Sequence, residues 1–158
     1  MEIRRILQKD NDQVAAIIRK VMTEFGAVGE GYSILDPEID TMFEHFQNPG
    51  HFFLVIDDGQ KLQGCGGVAP LKGGEDSICE LQKMYFLSEL RGKGFGKKML
   101  TDCIQTAKEI GYKQMYLETL QSMKQAVGLY TSFGFRQLSC AQGNTGHSSC
   151  DDFYLLDL

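Results

Sequence analysis

Residues 80–100 read ELQKMYFLSELRGKGFGKKML, a strand-like run followed by a glycine-rich turn and the start of a helix. Gly92, Gly94 and Gly96 leave several backbone N–H groups near the helix N-terminus without side-chain obstruction. Such groups, together with the helix dipole, attract anions. Lysines follow in the same turns, where the dipole disfavours positive charge, so an anion is expected to compensate for them. This stretch therefore predicts a strand, a phosphate-binding turn and a helix.

Two well-known phosphate loops do not fit these residues. A Walker loop needs a glycine five residues before Gly96 and a serine or threonine after Lys97, but the chain has Arg91 and Lys98. A dinucleotide fingerprint that begins at residue 92 would place its third glycine on Lys97. The pattern R-x-x-G-x-G does fit, as Arg91, Gly94 and Gly96. A turn that only reverses the chain stays open as the alternative.

This motif resembles that of the Gcn5-related N-acetyltransferases (GNAT), which bind acetyl-coenzyme A. The resemblance implies that the turn wraps the cofactor's pyrophosphate, and that the backbone of Met84 and Phe86 holds the acyl group and the pantetheine arm. The Met84 N–H is then the candidate donor to the developing oxyanion. The cofactor-binding residues expected on this basis are Met84, Tyr85, Phe86, Arg91, Gly92, Lys93, Gly94, Phe95, Gly96 and Lys97.

Length and composition indicate one domain over residues 1–158, with no apolar run long enough to span a membrane. The N-terminus lacks the apolar core of a secretory signal, so a cytoplasmic location is expected. Five cysteines in no compact framework favour reduced thiols. The net charge of −5 and the absence of a long basic run argue against a nucleic-acid partner.

The chain predicts an α+β fold, with a mixed, mostly antiparallel central sheet flanked by helices on both faces, as in the GNAT fold. Strands are expected at 2–7, 51–57, 61–71, 77–86, 114–120, 135–139 and 153–158. Helices are expected at 11–25, 37–46, 94–110 and 122–133. Three glycines in the strand 61–71 predict a bulge or a close backbone approach. A helix between the strands 77–86 and 114–120 predicts that these two strands are parallel.

Two residues are candidates for proton transfer. Glu80 precedes Met84 by four residues, the spacing at which the histone acetyltransferases of this superfamily place a general base. By the period of two, Glu80 is expected to share a strand face with Met84 and Phe86. Tyr130 lies in AVGLYTSFGF, which resembles the GNAT segment whose tyrosine protonates the coenzyme A thiolate. The alternative for Tyr130 is an aromatic core residue, and the alternative for Glu80 is a solvated or ion-paired strand residue.

The acceptor side is less defined. Glu118 is a rival carboxylate to Glu80, and Thr119 beside it should point to the opposite face. His147 is a candidate base or substrate contact in a polar, turn-rich segment, with a surface loop as its alternative. Family position alone suggests Glu24, Tyr32 and Asp36 as further acceptor contacts. The cysteines at positions 140 and 150, taken with this histidine, match no standard zinc spacing, so no metal is expected.

The sequence therefore predicts an acetyl-coenzyme A-dependent N-acetyltransferase that moves an acetyl group to a primary amine by direct transfer in a ternary complex. A non-catalytic module that binds acyl-coenzyme A is the alternative. The acceptor is expected to be a small molecule or a peptide amine, and neither nucleic acid nor membrane is an expected partner. Residue patterns do not decide the oligomeric state, and a homodimer is left open.

Overall fold

A seven-stranded sheet forms the centre of the protein in the computed structural model, which describes residues 1–158. Its strands are β1 (Glu2–Arg5), β2 (Phe52–Asp57), β3 (Leu62–Pro70), β4 (Ile78–Phe86), β5 (Gln114–Thr119), β6 (Arg136–Leu138) and β7 (Asp152–Asp157). They lie in the order β1-β2-β3-β4-β5-β7-β6. All neighbours are antiparallel except β4 and β5, which are parallel as predicted. The mixed, mostly antiparallel sheet is therefore confirmed.

Helices cover both faces of this sheet. The α-helices are α1 (Asn11–Glu24), α2 (Met42–His45), α3 (Phe95–Ile110) and α4 (Lys124–Ser132). On one face, Ile18 of α1 and Met42 of α2 join a buried cluster with Val55 of the sheet. On the other face, Met99 of α3 belongs to a second buried cluster that also contains sheet and α4 residues. The expected arrangement of helices around the sheet is confirmed.

The second helix is shorter than the sequence predicts. Residues Pro37–Thr41 form a 3-10 helix, and only Met42–His45 are α-helical. The chain changes direction at Thr41, whose φ of −134° and ψ of 41° lie outside the helical region. Proline does stand at the first turn, as expected from its fixed φ.

A bulge interrupts the pairing of β3 with β4. Gln82 pairs with Gly67 and Tyr85 pairs with Cys65, so two residues of β4 face the single Gly66. Lys83, at this point, has a φ of 53°, the one non-glycine residue with a positive φ. A Cβ on residue 66 would lie 3.0 Å from the Met84 side chain, which explains the glycine opposite the bulge. The predicted bulge or close approach in this strand is confirmed.

The bulge overturns the expected alternation of faces along β4. Upstream of it, Leu81 packs with the α3–α4 cluster, and Glu80 lies on the α1 face. Downstream, Met84 and Phe86 pack with the α3–α4 cluster and Tyr85 packs with the α1 cluster. The prediction that Glu80 shares a face with Met84 and Phe86 is therefore wrong. The extra residue at the bulge shifts the period of two by one position.

The parallel strands β4 and β5 separate after a short ladder. They are joined by three residue pairs, of which Glu80 with Tyr116 is the last. Beyond this pair, Leu81–Phe86 of β4 have no strand partner on the β5 side. The backbone groups that point into this split are free to bind another molecule. The split is the structural feature that positions the candidate site.

Two composition-based expectations concern cysteines and membrane spans. All five cysteines are free, and Cys65, Cys79 and Cys103 are buried. No helix combines the length and the apolar character needed to cross a lipid bilayer.

Candidate active site

A long cleft runs from the end of β4 to the N-terminal turns of α3 and α4. Eight of the ten predicted cofactor residues line it, namely Met84, Tyr85, Phe86, Arg91, Gly92, Gly94, Gly96 and Lys97. The other two, Lys93 and Phe95, do not. Lys93 is exposed, and Phe95 packs against the buried α3–α4 cluster.

The glycine turn in this cleft has the backbone shape that only glycine adopts without strain. Gly92 has a φ of 73° and Gly94, which caps α3, a φ of 82°. A Cβ at either position would meet no atom within 4 Å. The turn is therefore open toward solvent, with its N–H groups beside the N-terminus of α3. This cradle suits a phosphate group.

Arg91 fixes the turn to the rest of the fold. Its Nε donates a hydrogen bond of 2.9 Å to the Phe86 carbonyl oxygen. Its guanidinium forms an ion pair with Glu24 at the end of α1 and lies 5.4 Å from the Phe25 ring centroid. Glu24, a predicted acceptor contact, is thus placed beside this cleft and does not line the second pocket described next.

A second, more enclosed pocket adjoins the cleft where β4 and β5 separate. Glu80, Glu118, Thr119, Tyr130, His147 and Tyr32 line it, so all but two of the other predicted site residues meet there. Met84, Tyr85, Met123 and Ala126 line both cavities. The cleft and the pocket therefore meet beside the split, at the end of β4.

Glu80 is buried in this pocket, with 4% of its surface exposed. Burial raises the pKa of its carboxyl group to about 7, although a 2.7 Å hydrogen bond donated by Gln82 to Oε2 acts in the opposite direction. Its other oxygen has no hydrogen-bond partner in the protein. A carboxyl group in this setting exchanges protons near neutral pH, as a general base requires.

Glu118 is held more firmly than Glu80. Its Oε1 accepts hydrogen bonds from Tyr116 at 2.8 Å and from Thr145 at 3.0 Å, and Oε2 accepts one from Thr145 at 2.9 Å. The Thr119 hydroxyl lies 3.7 Å from the Met123 sulfur, and both Thr119 and Glu118 line the pocket. That the two side chains point to opposite faces of β5 stays a prediction.

Asp36, which does not line the pocket, contacts His147, which does. Nε2 of His147 lies 2.9 Å from Oδ2 of Asp36, and Nδ1 lies 3.6 Å from Oε2 of Glu118. Burial lowers the pKa of the His147 imidazole, but the hydrogen bonds to Asp36 and the nearby Glu118 carboxylate outweigh this and raise it to about 9. The imidazole is therefore protonated at neutral pH and is an ion-pair partner, not a free base.

Lys83 completes this network, and no sequence pattern indicates its role. Its side chain is 2% exposed, forms an ion pair with Asp36, and lies 3.8 Å from Glu38 Oε1. The positive φ at the bulge turns this lysine toward the loop before α2. In the sequence, only the glycines of β3 indicate the bulge that buries Lys83.

Tyr130 and Tyr32 both line the pocket. Tyr130 is 6% exposed, and its hydroxyl has no hydrogen-bond partner in the protein. Burial raises the pKa of this phenol, so it keeps its proton at neutral pH and can donate it. Tyr32 packs beside the α1 cluster and was predicted from family position. Cys150 and Met22, which also line the pocket, belonged to no recognised pattern.

Glu80, Glu118 and His147 lie close enough to hold a metal ion, with one ligand atom of each within 4.8 Å of the others. Two of the three are already engaged by protein groups, because Asp36 holds the imidazole and Thr145 holds the Glu118 carboxylate. The donor set is therefore better described as part of a hydrogen-bonded pocket.

Comparisons with known proteins agree on the family to which this chain belongs. Residues 14–135 match the model of the acetyltransferase (GNAT) family. The chain is 41% identical over 157 residues to the uncharacterized N-acetyltransferase YjgM of Escherichia coli, covering 99% of this chain and 94% of that protein.

Solved structures agree in fold. A GNAT-family acetyltransferase from Staphylococcus aureus superposes with a TM-score of 0.80 at 23% identity, covering 99% of this chain and 98% of the other. The acetyltransferase yncA of Salmonella typhimurium, solved with acetyl-coenzyme A, has a TM-score of 0.77 at 19% identity, covering 99% and 93%.

Proposed function

Because this chain belongs to the acetyltransferase (GNAT) family, we propose that it transfers an acetyl group from acetyl-coenzyme A to a primary amine in a ternary complex. One observation carries the proposal most directly: the cleft that contains the glycine turn and the carboxylate-containing pocket share Met84 and Tyr85 as lining residues. Two substrates bound in these cavities would meet at the split between β4 and β5. Direct transfer needs this proximity.

The residues of the cleft fit acetyl-coenzyme A. Gly92 and Gly94 provide an open cradle for its pyrophosphate, and Lys97 adds positive charge at the start of α3. Arg91 holds the turn in place through Phe86 and Glu24. The bound donor would supply an activated thioester, and the Met84 N–H is the candidate donor to its carbonyl oxygen.

Glu80 is the proposed general base. Its free carboxylate oxygen faces the pocket, and its raised pKa favours taking a proton from an ammonium group near neutral pH. Glu118 and His147 are less suited to this task because protein groups already bind them. They are proposed instead to shape the acceptor pocket.

Tyr130 is the proposed general acid. As the amine nitrogen bonds to the acetyl carbon, the carbon–sulfur bond breaks and the sulfur needs a proton. The Tyr130 hydroxyl is free of protein partners and keeps its proton because the phenol is buried. An ammonium group gives up two protons as it becomes an amide: Glu80 takes the first, and the second, lost from the nitrogen after attack, restores the proton that Tyr130 gives to the sulfur.

The proposal is tested by measuring thiol release from acetyl-coenzyme A with a panel of primary amines, alongside mass spectrometry of the products. Amine-dependent thiol release with an acetylated product supports the transferase. Coenzyme A binding without any acetylated amine would favour the non-catalytic binding module, and absence of coenzyme A binding would refute both.

A further inference from the structure

The charges around the acceptor pocket restrict what can bind there. The ionisable residues near it are Glu80 and Lys83 of β4, Glu118 of β5, Asp36 and Glu38 of the loop before α2, and His147 and Cys150 of the loop before β7. Burial raises the pKa of the Cys150 thiol to about 12, so it stays neutral. Two cations therefore face four carboxyl groups.

Neither cation is available to a ligand. Lys83 and His147 both bind the same carboxylate oxygen, Oδ2 of Asp36. The lysine is also near Glu38, and the imidazole is also near Glu118. An incoming carboxylate would have to break one of these contacts to find a positive partner.

Other basic side chains lie on the cofactor side. Arg91, Lys97 and Lys124 line the cleft, and Arg91 is already paired with Glu24. The anionic donor proposed above would occupy these charges. A carboxylate attached next to the reacting nitrogen would instead lie close to Glu80 and Glu118, where like charges repel.

The remaining wall of the pocket is apolar. Met22, Ala27, Leu117, Leu120 and Met123 contribute to it. Two loops meet beside the pocket, because the Ser149 N–H donates a 3.0 Å hydrogen bond to the Gly31 carbonyl oxygen and the Ser149 hydroxyl donates one of 2.9 Å to that of Glu30. These contacts narrow the approach for a large substrate.

We propose that the acceptor is a small aliphatic primary amine that carries no carboxylate next to its amino group. The alkyl part would contact the apolar wall and the amino group would face Glu80. This inference rests on the proposed function, since it names the acceptor of the same transfer. It excludes free α-amino acids, in which the carboxylate is one carbon away from the amine.

The test compares leucine, leucinamide and isoamylamine, which share one side chain and differ at the carboxylate position. We expect kcat/KM for leucinamide and isoamylamine to exceed that for leucine by at least about 10-fold, because like-charge contacts in a desolvated site cost several kcal/mol. Rates are compared across a range of pH, since the basicity of the amines differs. Equal rates, or faster acetylation of leucine, would overturn the proposal.

Binding of the same three compounds to the coenzyme A-loaded protein gives a readout that needs no turnover. Selective binding of the amines without acetylation would refute the transfer but support the pocket assignment. Acetylation without selectivity would refute the acceptor class alone, and faster acetylation of a lysine peptide than of isoamylamine would refute a small acceptor. Failure of all three compounds to bind would refute the acceptor class.

Two variants probe the charge argument itself. Asp36→Asn should release Lys83 and His147 and thereby reduce the preference for leucinamide over leucine. Glu118→Gln removes one repelling carboxylate and should act in the same direction if the first variant fails to fold. Asp40→Asn, an exposed change in the same segment, is the matched control and should leave the preference unchanged. An unchanged preference in both test variants would overturn the proposal.

Discussion

His147 Nε2 lies 2.9 Å from Asp36 Oδ2, although 111 residues separate the two in the chain. This ion pair joins the loop before β7 to the loop before α2 on one side of the acceptor pocket. Because Lys83 binds the same carboxylate, three segments of the chain meet at Asp36. The pocket is therefore held together by charge as well as by packing.

This contact predicts a pH dependence of stability. The folded pKa of His147, about 9, exceeds the ordinary value of 6.5, so its stabilising contribution is complete below pH 6.5 and is lost as the pH rises through 9. With allowance for solvent screening, we expect the free energy of unfolding to fall by about 1–2 kcal/mol over this window. His147→Gln should lose that pH dependence, as measured by urea unfolding. His51→Gln is the control, and an identical pH profile in the two variants would contradict the assignment.

Glu80→Gln should lower activity and raise stability. Removing a general base reduces kcat by about 10²-fold or more, and the rise of kcat/KM with pH through about 7 should disappear. The raised pKa of Glu80 means that its carboxyl group favours folding below pH 4.5 and loses this advantage as the pH rises through 7. At pH 8 the variant should therefore be more stable than the wild type by about 2–3 kcal/mol.

Thermal or urea unfolding at pH 5 and pH 8 checks this stability effect. Glu75→Gln replaces an exposed carboxylate and serves as the matched control. Loss of stability in Glu80→Gln at pH 8, or unchanged kcat, would show that Glu80 is a structural residue.

Tyr130→Phe should separate catalysis from stability. Its hydroxyl has no protein partner, so removing it leaves no buried group unsatisfied, whereas loss of the general acid should reduce kcat by about 10²-fold. The affinity for coenzyme A should be retained. Tyr154→Phe is the contrasting variant, because the Tyr154 hydroxyl donates a 2.8 Å hydrogen bond to buried Asp152. Tyr154→Phe should lose stability and keep activity. If Tyr130→Phe instead lost stability and kept activity, the role of Tyr130 as the general acid would be rejected.

Gly94→Ala should weaken coenzyme A binding. A Cβ at this position, with a φ of 82°, is strained by about 1 kcal/mol and disturbs the phosphate cradle. Gly111→Ala at the other end of α3 is the matched control, since it has a φ of 110° and equally open surroundings. Both should lose similar stability, but only Gly94→Ala should lose the thermal shift caused by coenzyme A. Equal shifts in the two variants would show that the turn does not bind the cofactor.

The local features of the fold could be predicted from sequence. The turn at Gly92–Gly94 and the helix that follows have strong local signals, in glycine placement and apolar spacing. Eight of the ten residues that the family resemblance suggests for cofactor binding line one cleft, because they lie along β4, this turn and the start of the helix. The shorter second helix could not, because the break at Thr41 leaves the spacing of apolar residues intact.

The acceptor pocket depends on contacts that no local pattern carries. Lys83 and Asp36 are 47 residues apart, and the extra residue of the β4 bulge decides which way Lys83 points. Glycines in β3 indicated an irregularity without showing its effect on the opposite strand. The position of Glu80 on the α1 face of the sheet therefore could not be predicted from the sequence.

The split between β4 and β5 also divides the sheet mechanically. One ladder contains β1 to β4, the other contains β5 to β7, and three residue pairs connect them. Local opening along this seam separates fewer residue pairs than opening between β2 and β3, β3 and β4, or β5 and β7, which are each joined by six pairs. A molecule that binds across the seam would oppose the separation of the two ladders. We therefore expect amide hydrogen exchange in Leu81–Phe86 to slow when the cleft is filled. Substrate binding would then also fix the β1–β4 half of the sheet against the β5–β7 half.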